Sequence, residues 1–180
     1  SVRLFVRYNT PIYPVIISEY TLDFSDSNVV SYLASKLSSD FDYEAISASF
    51  DLAKSGSGEA QYQIGSYCYD IEAYDDALYW FVNSAIQGNP SGANGIGRCY
   101  YNARGVIRRP RYAYNWFLLS AKNGCPEGMN NVGKCLEEGF GVIVPHKKKA
   151  IKYYKSAADL GHVSAQYNVG VHYFFGNGVK

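Results

Sequence analysis

The chain has no apolar run approaching the roughly 20 residues that a membrane-spanning helix requires, so no transmembrane segment is expected. No secretory leader pattern is visible; the chain begins at Ser1, and a leader could lie upstream of it. Cysteines are few. Cys68, Cys99, Cys125 and Cys135 form no CxxC pair and no metal-ligand spacing. They read as small buried thiols, which favours a reducing compartment and a cytoplasmic location. The three histidines, His146, His162 and His172, are scattered, and none has Cys, Asp or Glu at metal spacing. Nucleophile elbows and phosphate loops are missing. Glu137 and Glu138 are neighbours, so on a helix they point in different directions and make no acid/base pair. The expectation is therefore a non-enzyme with no cofactor and no metal.

Aromatic residues are what the chain has in excess: 18 Tyr and 9 Phe, within a composition that is 47% hydrophobic. That content excludes a disordered chain. The net charge of +1 conceals an asymmetry. Residues 1–90 carry 4 Lys/Arg against 12 Asp/Glu, and residues 91–180 carry 13 against 4. In an elongated molecule this is a dipole along the long axis, whose acidic and basic ends are complementary for head-to-tail self-association.

One pattern recurs in phase. An Ala stands at Ala45, Ala77, Ala113 and Ala150, and a second eight residues on at Ala53, Ala85, Ala121 and Ala158. A Gly follows three residues later at Gly56, Gly88, Gly124 and Gly161. Trp80-Phe81, Trp116-Phe117 and Tyr153-Tyr154 hold the same place after the first Ala. Another glycine series, Gly65, Gly97, Gly133 and Gly170, precedes these. Each unit divides into helix A, with the mid-helix Gly, and helix B, with the alanines and the aromatic pair. An interior Gly costs roughly 1 kcal/mol against Ala. Four in register imply close packing of helix B on helix A, with the aromatics filling the gap to the next unit. Gly105-Val106 and Gly139-Phe140-Gly141-Val142 lie in the longer A-to-B links, the Val placed to plug an apolar gap.

Before the repeats, Val2 to Tyr8 alternates and Val15-Ile16-Ile17 is β-branched, which reads as two short strands or an extended arm over residues 1–24. Residues 25–56 read as a degenerate helical hairpin. Its first helix is expected from Asn28 to Leu37, capped by Ser25 or Ser27, and its second from Tyr43 to Lys54.

The run Ala165-Gln166-Tyr167-Asn168-Val169-Gly170, then Tyr173 and Gly176-Asn177-Gly178-Val179, resembles the Sel-one-like repeat family, a relative of the tetratricopeptide repeat. So do Lys149-Ala150, Tyr153-Tyr154-Lys155-Ser156-Ala157-Ala158 and Gly161. The resemblance covers residues 57–180, as repeats 57–90, 91–126, 127–162 and a half repeat 163–180. It implies an all-α, right-handed α/α superhelical solenoid of stacked helix-turn-helix repeats behind the N-terminal arm. It also implies scaffold or adaptor work toward a protein or peptide partner. The half repeat leads us to expect a longer array, with a further helix B whose addition raises stability.

If the tetratricopeptide facing holds, helix A lines the concave face. The open positions are then Asn94, Arg98, Tyr101 and Asn102 in one repeat, and Asn130, Lys134, Glu137 and Glu138 in the next. Asn beside a cation suits a carboxylate, on an acidic side chain or a free C-terminus. Two basic runs, Arg108-Arg109-Pro110-Arg111 and His146-Lys147-Lys148-Lys149, occupy adjacent A-to-B links and are expected on one edge. That edge is the alternative binding surface, for an acidic protein, anionic lipid or nucleic acid. No recognised motif accompanies it, which disfavours nucleic acid. A third reading is a regulatory repeat region attached to an enzyme in a larger protein.

Overall fold

The computed structural model describes residues 2–5, 14–17 and 43–176. Strands β1 (Val2–Phe5) and β2 (Pro14–Ile17) pair antiparallel, Val2 opposite Ile17 and Phe5 opposite Pro14. The expected helix from Asn28 to Leu37 and its Ser25 or Ser27 cap lie outside the described residues. Eight helices follow among those described. They are α1 (Tyr43–Lys54), α2 (Gly58–Asp70), α3 (Tyr74–Ile86), α4 (Pro90–Asn102), α5 (Pro110–Lys122), α6 (Pro126–Glu138), α7 (Lys147–Asp159) and α8 (Val163–Phe174). Strand β2 lies against α3.

Local chemistry sets the helix ends. Pro90, Pro110 and Pro126 each open a helix, where the missing N–H costs nothing. The side chains of Ser57, Asn89 and His162 accept bonds from the first turns of α2, α4 and α8. The helices of the B series end at Gly88, Gly124 and Gly161, with φ of 84°, 86° and 85°. Nothing lies within 4 Å of a Cβ built there, so the left-handed backbone and not crowding selects glycine.

Helices α2, α4, α6 and α8 form the A series, and α3, α5 and α7 the B series. Each helix packs on its neighbours in sequence. The A helices also touch from repeat to repeat, α2 with α4 and α4 with α6, while B–B contacts are weaker or absent among the described residues. The A helices therefore lie closer to one another from repeat to repeat than the B helices do. The result is an all-α repeat solenoid with one continuous core, running from Phe50 through Ile64, Phe81, Ile96 and Phe117 to Tyr154.

The mid-helix glycines mark where B meets A. A Cβ on Gly65 would lie 2.7 Å from the Phe81 ring, one on Gly97 2.5 Å from Phe117, and one on Gly133 2.5 Å from Tyr154. Each ring therefore sits over the glycine of its own repeat, where the sequence pattern suggested the gap to the next. Phe81 does both, since a Cβ on Gly95 of the following repeat would also lie 2.5 Å from it. Link glycines make a second contact: a Cβ on Gly105 would meet Tyr74 O at 2.8 Å, and one on Gly141 would meet Pro110 O at 2.3 Å. Each long link thus lies on the start of the preceding B helix. Val106 and Val142 pack against the core beneath.

Candidate functional site

On the A side a cavity of about 470 Å³ opens between α4, α6 and α8. Its walls carry Arg98, Tyr101 and Asn102 from α4, Asn131, Lys134, Glu137 and Glu138 from α6, and Asn168 from α8. Phe117 and Tyr154, the rings seated on Gly97 and Gly133, reach it from the B layer. Side chains one helical turn apart on successive A helices meet here because the repeats stack in register.

Hydrogen bonds tie the lining together across repeats. The Tyr101 hydroxyl donates to Glu138 Oε2 at 2.7 Å, and Asn102 Nδ2 donates to the Tyr69 hydroxyl at 2.9 Å. Both join the C-terminal turn of one A helix to that of the next. Deeper in, the Tyr154 hydroxyl donates to Glu137 Oε2 at 2.9 Å, and His172 Nε2 lies 3.3 Å from Glu137 Oε1. Burial, then the Glu138 carboxylate, pushes the Tyr101 phenol up to about 12. Burial, then Glu137, raises Tyr154 further. Both phenols stay protonated donors, as their bonds to carboxylates require.

Of the eight positions expected to be open on helix A, Arg98, Tyr101, Asn102, Lys134, Glu137 and Glu138 are brought together in this cavity. Asn94 and Asn130 are not open, which corrects the tetratricopeptide facing for that position. Each is 3% exposed. Asn131 Nδ2 donates to Asn94 Oδ1 at 2.8 Å, and Asn168 Nδ2 donates to Asn130 Oδ1 at 3.0 Å. The position three residues before the Gly turns into the A–A interface, and the one two residues before it turns to the groove. Asn131 and Asn168 are thus the groove asparagines. Their signal was legible, an Asn two residues before both Gly133 and Gly170.

The cations of the groove are differently held. The Arg98 guanidinium stacks over the Tyr69 ring, 4.3 Å from its centroid. Lys134 is exposed. Among the described residues, neither forms an ion pair. Glu137 and Glu138 already accept bonds from Tyr154 and Tyr101, so the acidic side of the groove is internally engaged.

The basic links form a second surface. Arg108, Arg109, Arg111, Lys147, Lys148 and Lys149 are all exposed. Arg108 lies over the Phe140 ring at 4.9 Å, and so joins one link to the next. Arg109 lies over Tyr112 at 5.2 Å and Arg104 over Tyr74 at 4.8 Å. All four cysteines are buried free thiols, and among the described residues no three His, Cys, Asp or Glu side chains are grouped to hold a metal. No described helix is long and apolar enough to cross a membrane.

A family model described as Sel1 repeat matches residues 58–89, 90–125, 126–162 and 163–180, about two thirds of the chain. A crystal structure of a protective antigen of uropathogenic Escherichia coli with an SLR fold is 31% identical, with a TM-score of 0.64. The match covers 75% of this chain and 30% of that one. A Sel1 repeat protein from Oxalobacter formigenes superposes with a TM-score of 0.66 at 24% identity, covering 81% of this chain and 61% of that one. The chain therefore spans less than two thirds of either relative. No curated protein matches it. Sel1 repeats generally mediate protein–protein interaction, and the family is typically a non-catalytic scaffold. Stacked A/B helix pairs, glycines under aromatic rings and four matched repeats together make this chain a member of the Sel1 repeat family.

Proposed function

We propose that the chain is an interaction scaffold whose A-side groove takes a carboxylate-bearing segment of a partner protein, an acidic side chain or a free C-terminus. The observation that carries this is the pair Arg98 and Lys134. They face one cavity of about 470 Å³ from successive helices, and neither has an ion-pair partner among the described residues. Stacking on Tyr69 holds the Arg98 plane in place, so its N–H fork is pre-organised for bidentate bonding. Asn131 and Asn168 add amide groups to the lining. A rigid groove loses little freedom on binding, which favours affinity from few contacts.

The test is a peptide array in which each C-terminal sequence appears as free acid and as amide. Wild-type protein should prefer the acids, and the Arg98→Ala/Lys134→Ala double variant should lose that preference. Equal capture of acids and amides, or an undiminished double variant, sinks the reading.

A further inference from the structure

The edge built by the two long links carries more than charge. Ile107 is 79% exposed, Ile143 fully exposed and Val144 51% exposed. Each lies within a few residues of a cation: Ile107 precedes Arg108 and Arg109, and Ile143-Val144 precede Lys147, Lys148 and Lys149. From Ala103 to Pro126, and again from Gly139 to Ala158, there is no Asp or Glu. The two links are one surface. Gly141 contacts the start of α5 at Pro110, Arg108 covers Phe140, and a shallow depression runs between Arg111 and Ile143.

We infer that this edge is a docking surface for an anionic lipid bilayer, with Ile107, Ile143 and Val144 entering the interface and the surrounding Arg and Lys meeting the headgroups. The chemistry selects among anionic partners. Aliphatic side chains held out in water beside cations gain from an acyl boundary and nothing from a phosphate backbone. A single-stranded nucleic acid would call for exposed stacking rings. Here Tyr112 and Phe140 are half-buried, and Arg109 and Arg108 lie over them. The first link, Ile71 to Ala73, is short and carries Glu72, so the surface belongs to the C-terminal repeats alone. None of its cations or exposed aliphatic side chains lines the A-side groove, and the two surfaces meet where the Phe140 ring lies 4.5 Å from that of Tyr101.

The experiment is vesicle flotation, with phosphatidylcholine alone and with phosphatidylcholine mixed with phosphatidylserine, at low and high salt. Binding is expected to the mixed vesicles only, and to fall with salt. Ile107→Ser/Ile143→Ser should weaken it at least about tenfold, because each exposed Ile would lose its apolar burial. Each of Lys147→Ala, Lys148→Ala and Lys149→Ala should weaken it about fivefold. All five positions are exposed, so thermal melting should be unchanged. In Ile143→Trp, tryptophan emission should shift to the blue on adding mixed vesicles. Three results overturn the inference: no flotation at low salt, flotation untouched by the double Ile variant, or binding of a single-stranded oligonucleotide with vesicles left unbound.

Discussion

Tyr154 lies on Gly133 so closely that a Cβ at residue 133 would come 2.5 Å from Tyr154 Cε1. The ring is 1% exposed, and its hydroxyl is fixed by Glu137, so it has little room to retreat. Gly170 holds the equivalent place in α8, yet nothing lies within 4 Å of a Cβ built there. Alanine should therefore have opposite effects at two positions of one repeat pattern. Gly133→Ala should destabilise by about 1–3 kcal/mol, as overpacking outweighs helix propensity. Gly170→Ala should stabilise by up to about 1 kcal/mol. Urea unfolding of both variants checks this; a loss at Gly170 as large as at Gly133 would show that the glycines serve something other than ring seating.

A second glycine contact has an internal control. A Cβ on Gly128 would lie 2.4 Å from Ser120 Oγ and 2.9 Å from Ala121 N. Gly92 meets Ser84 and Ala85 in the same way one repeat earlier. One repeat later the pair is Ala157 and Ala165, both fully buried. The interface thus accepts either Ser with Gly or Ala with Ala. Gly128→Ala alone should cost about 1–3 kcal/mol, and adding Ser120→Ala should recover part of it. Strict additivity of the two substitutions in thermal or urea melts would refute the pairing.

Much of this was legible in the sequence, and the losses have a common cause. The repeat phase placed every A and B helix from Gly58 onward, because glycines, alanines and aromatics are dictated by contacts made identically in each unit. It also put Arg98 and Lys134 at matching places on successive A helices, and both line the cavity. Which way each polar residue faces depends on the rotation of helix A about its own axis, and phase alone does not give that. Borrowing the rotation from tetratricopeptide repeats turned Asn94 and Asn130 outward when they face the next helix. Exposure of Ile107 and Ile143 was hidden for a related reason. A Gly-rich link buries one apolar residue, Val106 or Val142, and its neighbour looks the same in composition.

The asparagine pairs separate structure from binding. Asn130 is buried, and its carbonyl oxygen accepts from Asn168 at 3.0 Å. Asn130→Ala should destabilise by about 1–2 kcal/mol, since Asn168 loses its acceptor. A double-mutant cycle with Asn168→Ala should give a coupling of about 0.5 kcal/mol or more. The peptide array should show no change in acid-over-amide preference for Asn130→Ala, because that side chain does not line the groove. Loss of the preference in a fully folded Asn130→Ala protein would restore it to the binding surface.

The buried thiols make a prediction about alkaline pH. Burial pushes Cys99 and Cys135 from their ordinary 9.0 up to about 12. Both are 0% exposed, at matching positions two residues after Gly97 and Gly133. Above pH 9 the unfolded chain releases these protons while the folded chain keeps them. The unfolded state then binds fewer protons, so stability falls as pH rises, until the folded thiols themselves titrate. From about pH 8 to about pH 10 each thiol should remove roughly 1.4 kcal/mol, about 3 kcal/mol for the pair. Tyr101 and Tyr154, also raised, deepen the loss at higher pH. Urea midpoints measured across that range should fall, and the Cys99→Ala/Cys135→Ala variant should show a shallower slope. A flat wild-type profile would mean the thiols open to water well below global unfolding.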